Sequence, residues 1–507
     1  MQLRAVAAAA VLSTFTVLPL AASAQTRPGD PAPPRSWVDK DTGHRVWRLS
    51  DEPNSGGFYF NINAYTPDLK QMVYTAPDGI HVLDLATRKT KLLVENPKRQ
   101  AGEAGPVPGT IHTLVVGHKT NSIFYTTTDA NHVTSVYKAD TNTGKVTKLV
   151  DVPKLPNTSS MSVVSVNADE TLVAGTYIIG DDTGKQYGSN VPAARQPAGA
   201  SDNRVGSAVQ GPHYQPTNKG AMMEARLAAR LPLVLFTLRL EPGPHGEKAG
   251  DIKELLHSTD WVNHLLFSPT DPELLMYCHE GPWQKVDRIW MIHTDGTHNT
   301  LIHKRTMVNE IAGHEFWGLD GETIWYDWQY PKGEVFYLAG YNLKTGKRTA
   351  FHLLRDEWGI HFNLTKDLDL FCDDGGDPGQ VARSKDGEWI ELFHPRMLDG
   401  GNGSLTGPDF WHPGVFHSEH LVNMSHHYYR EEPNVRFSPD KKLVIFTSNM
   451  FGPSYVFGVE VEKAVNPDAA DVVSTPELAR RFNPTDPPAS KTPVGTAAGP
   501  PETPVTR

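Results

Sequence analysis

The chain has 507 residues, 21% of them charged and 38% hydrophobic, with 43 Gly, 40 Pro, two Cys and a formal charge of −10. Two cysteines exclude a disulfide-stapled scaffold, and the acidic balance argues against nucleic acid or an anionic membrane surface as the main partner. Length alone would give about three domains, but the glycines and prolines with 19 Phe, 11 Trp and 16 Tyr fit many short strands rather than a helical bundle, and 22 histidines invite a search for metal or acid–base chemistry.

Residues 1–24 have the pattern of a secretory signal peptide. Arg4 supplies the positive start, Ala5 to Leu20 the apolar run, and Ala22-Ser23-Ala24 the small-residue cleavage site. The expected location is therefore the periplasm or the exterior, and no later run is long enough to span a membrane. Residues 25–42 form a Pro-rich extended segment. The strand HRVWRLS (44–50) follows as an orphan, ahead of a repeating pattern.

The repeat is a short strand, a Pro-Asp or Asp-Gly turn, an apolar and aromatic second strand, a third strand and often a Thr-Gly-Lys turn. Its second-strand signatures are TPDLKQMVYTA (66–76), TNSIFYTTT (120–128), NADETLVAGTY (167–177), SPTDPELLMYC (268–278), LDGETIWYDW (319–328), TKDLDLFCDDG (365–375) and SPDKKLVIFTS (438–448). A period of roughly 45 with up to four strands per unit predicts an all-β fold, a seven-bladed β-propeller over 43–463. The last copy lacks a fourth strand, so the N-terminal strand is expected to close the ring and remove both edges.

The segment 178–230 interrupts the third unit and ends in EARLAARLP. It reads either as a tolerated surface loop or as a lid that contacts substrate. Cys278 and Cys372 occupy equivalent places in non-adjacent repeats, which predicts buried, unbridged residues. From 464 to 507 the chain turns Pro, Ala and Thr rich and reads as a disordered tail with one helical turn at Pro476–Phe482.

Histidines recur at the starts of first strands, as His264, His314 and His361, with Glu432 and Asn434 at the same register of the last copy. First strands of a propeller line its central channel, so these residues should converge from several blades. Imidazole with carboxylate and amide oxygens suits Mn²⁺, Ca²⁺ or Zn²⁺. Two further pieces belong nearby, CHEGPW (278–283) with His279 and Glu280, and SHHYYREEPN (425–434) with His427, Tyr429 and Arg430. A solvated, mutually neutralised loop is the plainer reading of the second piece. There is no Walker loop, dinucleotide fingerprint, HExxH helix or GxSxG elbow.

EARLAARLP, NHLLFSPTDPELLMYCHEGPWQKVDRIW, GHEFWGLDGETIWYD and EEPNVRFSPDKKLVIFTSNMFGP closely resemble the oligogalacturonate lyases, over roughly Gly43 to Lys463. The resemblance implies a seven-bladed propeller, a bound Mn²⁺ and β-elimination on short galacturonides released from pectin. It further implies that His264 is the base, that His314 ligates metal, and that Arg230 or Arg226 is the catalytic arginine. Substrate-binding candidates are His279, Arg288, Tyr429 and Arg430. The family's remaining ligands, a Gln and a His-Pro-His segment, are replaced here by Tyr429, Glu432, Pro433 and Asn434; His427 or His361 could supply nitrogen. The expected partner is thus a short acidic oligosaccharide. The alternatives are a lyase on another uronate glycan and a non-catalytic periplasmic propeller of the TolB-like kind.

Overall fold

A computed structural model describes residues 32–99, 107–180, 219–376, 388–398, 407, 410–429 and 431–482. The segment 1–24, most of the insertion (181–218), Arg430 and the tail beyond residue 482 lie outside the described residues.

The described chain is nearly all β, with two α-helices, Lys219–Ala229 and Thr475–Phe482. Its strands follow one another as antiparallel units. The three strands Gln71–Ala76, Gly79–Asp84 and Thr90–Glu95 are extended by isolated bridges from Gly56 and Tyr65. Four-stranded sheets begin at Ile111–Val116, Thr158–Val166 and Trp261–Phe267. The units that start at Ile311–Trp317 and Phe362–Leu364 merge into one eight-stranded sheet, because the outer strand Arg348–Leu353 pairs in parallel with Trp411–Asn423. The last unit, Arg436–Phe437, Leu443–Ser448 and Tyr455–Lys463, takes His44–Arg48 as its fourth strand. The orphan strand of the sequence is therefore placed, and the final edge is paired rather than open.

First strands are tied to their neighbours by polar bonds across the units. Val116 donates to the Asn63 carbonyl at 3.1 Å, Trp317 Nε1 to the Leu266 carbonyl at 2.9 Å, and Phe437 to Asn363 Oδ1 at 3.1 Å. Buried Arg436 reaches from the last unit to the Ile62 carbonyl of the first at 2.9 Å. Between these strands the second strands are buried on both faces, as in LLMYC and TIWYD, because each unit packs against two others. Phe316, Trp325, Phe336, Phe351, Phe371, Phe393 and Phe416 form one such filling; truncating a fully buried aromatic of this kind to Ala typically costs about 3–5 kcal/mol. Cys278 and Cys372 are buried and free.

The reading of disorder from residue 464 needs correction. Val472–Val473 adds in parallel to Ser36–Asp39, and helix Thr475–Phe482 buries Leu478 and Ala479 against Trp37 and the last unit. Thr475 Oγ1 donates to buried Asp39 at 2.7 Å and accepts from Trp37 Nε1 at 3.3 Å, which fixes the helix start. This short amphipathic stretch is too small to stand out from a Pro-rich composition, and tertiary packing stabilises it.

Candidate functional site

Strand alternation puts directly opposed residues of paired strands on one face. In the fourth unit Trp261 opposes Glu280 and Asn263 opposes Cys278, so an unbroken strand would turn His264 to the other face, away from Glu280. A one-residue bulge between Asn263 and Leu266, with His264 at φ +48°, turns it back. The fifth unit repeats the device: Gly313 opposes Asp327, a bulge follows, and His314 sits at φ +46° facing Asp327. In the last unit Asn434 has φ +57°. Left-handed backbone costs a residue with a Cβ roughly 1–2 kcal/mol, and three such residues at one register of inner strands mark a place where side chains are aimed at strain.

His264 keeps 24% of its side chain exposed and places Nε2 2.9 Å from Glu280 Oε2. Glu280 is buried, and its other oxygen lies 2.9 Å from Nη1 of Arg288, itself buried. Burial opposes ionisation of Glu280, but Arg288 and the bond to His264 outweigh it and hold the carboxyl well below its usual range. The Arg288 guanidinium lies 4.4 Å from the ring centre of Trp283, and Trp283 meets His314 edge-on at 4.9 Å. Gly313 makes room for this stack, since a Cβ there would come within 2.7 Å of Trp283 and 3.1 Å of Arg288 Nε. The CHEGPW turn thus backs both histidines.

His314 Nδ1 lies 3.2 Å from Asp327 Oδ2. Burial and nearby His361 push His314 down to about 3, while burial pushes Asp327 up to about 8. Both partners are therefore neutral around pH 7. His361 needs no bulge, because it lies one step beyond the pair Phe362 and Asp373 and so faces Asp374 directly. Its Nδ1 is 2.8 Å from Asp374 Oδ2 and its Nε2 is 3.2 Å from the Tyr59 hydroxyl and 3.8 Å from Glu432 Oε2. Burial disfavours the charged ring, yet Asp374 and Glu432 raise its pKa above the ordinary value. His361 stacks on Phe60 at 4.5 Å and meets His314 edge-on at 5.1 Å. First strands of the fourth, fifth and sixth units therefore bring His264, His314 and His361 together, with Tyr59 against His264 and His361.

Other candidates lie differently. Arg226, on helix Lys219–Ala229, places its guanidinium 3.5 Å from the Trp261 ring centre, and Trp261 shares the sheet face of Glu280. The helix is anchored by buried Met223 and by Glu224, 2.8 Å from Lys285 of the CHEGPWQK turn. The end of the insertion is thus docked at the site rather than held away from it. Arg230 is more exposed and pairs with Asp260. His279 points to the face opposite Glu280, with Nδ1 3.8 Å from Asp260 and its ring against Trp290.

Three expectations need correction. Arg288 is behind His264, engaged by Glu280 and Trp283, and is not exposed to a ligand. Tyr429 is buried and donates to the Asp374 carbonyl at 3.0 Å, so it supports the loop of Asp374. His427 is fully buried with Nδ1 3.0 Å from Ser448 Oγ and Nε2 2.7 Å from the Glu431 carbonyl, which leaves neither nitrogen for a metal. Among residues that sequence reasoning missed are Tyr59, Asp327 and Asp374, together with buried Glu315.

For a divalent cation the donor chemistry fits in part. His314 and His361 each turn one nitrogen to a carboxylate, as metal-bound histidines commonly do, but His361 Nε2 would have to exchange its contact with the Tyr59 hydroxyl for the cation. Asn434 is committed, its Oδ1 accepting from Phe60 N at 3.0 Å and its Nδ2 donating to the Glu432 carbonyl at 2.8 Å. Among the described residues no three His, Cys, Asp or Glu side chains are arranged to hold a metal. The Glu432 side chain is 38% exposed, so its rotation toward the two imidazoles is the movement that would complete a nitrogen and oxygen donor set.

Fold and site together define a class: an all-β chain of successive antiparallel sheets whose inner strands carry carboxylate-backed imidazoles. Within that class the resemblance to the oligogalacturonate lyases holds, since the family profile matches residues 245–354, a stretch that includes His264, Glu280, Arg288, His314 and Asp327. The chain is 34% identical over 228 residues to an oligogalacturonate lyase of Dickeya dadantii and 26% identical over 222 residues to an oligogalacturonide lyase of Pectobacterium atrosepticum. Each match covers 43% of this chain and 54% of the relative, so the chain spans about half the length of these relatives. The fold is similar to a solved oligogalacturonate lyase in complex with manganese, with a TM-score of 0.58 at 20% identity, over 84% of this chain and 96% of that one. It is similar also to the oligogalacturonate lyase of Vibrio parahaemolyticus, with a TM-score of 0.60 at 19% identity and the same coverage.

Proposed function

We propose that this chain is a lyase that cleaves short, pectin-derived galacturonate oligosaccharides by β-elimination. The observation that carries the reading is His264, strained onto a bulge and bonded through Nε2 to Glu280, with no partner at Nδ1 among the described residues, inside the stretch that matches the lyase profile. Galacturonate has a weakly acidic proton on C5, next to its carboxylate. The chemistry needs a base for that proton and positive charge for the electron density that moves toward the carboxylate.

His264 Nδ1 takes the C5 proton, and the resulting imidazolium faces the ionised Glu280. Arg226, at the Trp261 rim, binds the carboxylate of the sugar and stabilises the enolate-like charge. The C4–O bond then breaks and leaves a 4,5-unsaturated sugar. A divalent cation such as Mn²⁺, when held by His314, His361 and Glu432, supplies further positive charge against the same carboxylate. We also propose that the seven sheet units close into a ring through His44–Arg48, and that the protein is exported by residues 1–24; the pairing of that strand with Tyr455–Lys463 and the composition of the leader support these readings.

The test is to incubate the protein with oligogalacturonides, with and without Mn²⁺, and to follow the ultraviolet absorbance of the unsaturated product. Product formation that His264→Ala abolishes is the expected result. Absence of product from galacturonide, glucuronide and alginate oligomers would overturn the lyase reading in favour of a binding propeller.

A further inference from the structure

Both oxygens of Glu280 reach the Arg288 guanidinium, and one of them is shared with an imidazole. Oε1 takes Arg288 Nη1 at 2.9 Å, whereas Oε2 lies 2.9 Å from His264 Nε2 and 3.4 Å from Arg288 Nη2. A carboxylate placed only to neutralise a buried arginine would make two equally short bonds to the guanidinium fork, whereas here the bond on the His264 side is the longer. The backbone also departs from its regular course for this contact, because the bulge at His264 returns the ring to the face of Glu280.

We propose that Glu280 is a positioning residue, fixed by Arg288, that sets His264 as the Nε2–H tautomer and so leaves the Nδ1 lone pair for the substrate; this rests on the β-elimination reading. An ionised carboxylate only accepts hydrogen bonds, so the proton between the two must sit on Nε2. The other groups facing His264 are consistent with that. Tyr59, with its ring centre 6.3 Å away, is kept protonated by burial and by Glu432, Glu315 and Glu280, so it offers no competing base. In the reaction the C5–H bond breaks and its proton goes to Nδ1, while the bonding electrons form the C4–C5 double bond. The C4–O bond breaks with its pair on oxygen, which takes a proton from water, and Nδ1 later returns its own proton to solvent.

The test uses Glu280→Gln, which keeps the shape but can present either a donor or an acceptor to Nε2. Because removing one member of a buried ion pair is destabilising, the double variant Glu280→Gln with Arg288→Met, which removes both charges, is measured beside it. With trigalacturonate as substrate, kcat should fall about 100-fold or more in both variants while KM stays within about threefold. Proteins labelled with ¹⁵N-histidine, with the His264 signals identified by their loss in His264→Ala, should show the Nε2–H tautomer in the wild type and a mixture in the variants. A folded variant with kcat within about threefold of wild type, or an unchanged tautomer signal, overturns the proposal. If the wild type yields no unsaturated product, the lyase reading fails by itself, and the tautomer signal still decides whether Glu280 sets His264.

Discussion

His264 and His314 stand at one register of two successive inner strands and share a left-handed backbone, with φ of +48° and +46°. In each, a one-residue bulge reverses the strand's alternation and turns the ring to an acidic partner on the neighbouring strand, Glu280 for one and Asp327 for the other. The strain is thus spent on direction. Both rings would face away from the shared centre without it.

That strain is measurable. At these positions Gly adopts the left-handed region freely, whereas Ala retains the Cβ clash. His264→Gly should therefore be more stable than His264→Ala by about 1 kcal/mol, and His314→Gly than His314→Ala by a similar amount, in urea unfolding. His361 is the control, since it has no bulge and is absent from the positive-φ residues; there the order should reverse. Equal stabilities of the Gly and Ala variants at His264 and His314 would mean that the bulges are unstrained.

The His314 and Asp327 pair gives a distinctive pH response. Burial raises Asp327 to about 8 from 3.8, so the folded state keeps a proton that the unfolded state loses, and stability falls as pH rises between those values. Burial and His361 lower His314 to about 3 from 6.5, so stability is lost as pH falls through that range. Between roughly pH 4 and 6.5 the two slopes, each at most about 1.4 kcal/mol per pH unit, oppose and cancel. Asp327→Asn removes one of them. In protein stripped of metal by a chelator, this variant should lose stability relative to wild type on acidification across that window. Parallel stability curves would show that the pair does not titrate in this way.

The histidines were legible because a repeat puts equivalent residues at equivalent depth, and His264, His314 and His361 share one register. Of their acidic partners only Glu280 stood out, beside His279 in CHEGPW, and its pairing with His264 did not. Glu280, Asp327 and Asp374 come from second strands, and which of them meets a histidine depends on pairing register and on a bulge that no periodicity records. The dense SHHYYREEPN run misled for the opposite reason. Its His427 and Tyr429 are ionisable types used as buried structural bonds, to Ser448, Glu431 and Asp374. Tyr59 escaped notice because it sits in the irregular stretch ahead of the first complete strand, where no pattern marks it.

The two candidate arginines are separated by their surroundings. Arg226 reaches over Trp261 on the face of Glu280, while Arg230 is 54% exposed and paired with Asp260. Arg226→Ala should lower kcat/KM for oligogalacturonides by about 100-fold or more, the loss of a positioned charge at the developing anion. Arg230→Ala removes a surface ion pair that contributes about 0–1 kcal/mol and should leave kcat within about threefold. Steady-state kinetics on both variants decide between them, and the reverse order would transfer the role to Arg230.

Metal content separates the histidines in the same way. If His314, His361 and Glu432 hold a divalent cation, His314→Ala and Glu432→Ala should each lower the Mn²⁺ retained after dialysis, as read by elemental analysis. His427→Ala should retain it, because this ring is bonded to Ser448 and the Glu431 carbonyl and stands outside that donor set. That variant should instead lose about 1–3 kcal/mol of stability, since Ser448 and the Glu431 carbonyl are left buried without their partner. Equal Mn²⁺ in wild type, His314→Ala and Glu432→Ala would remove this donor set from consideration. The positive charge at the sugar carboxylate would then fall to Arg226.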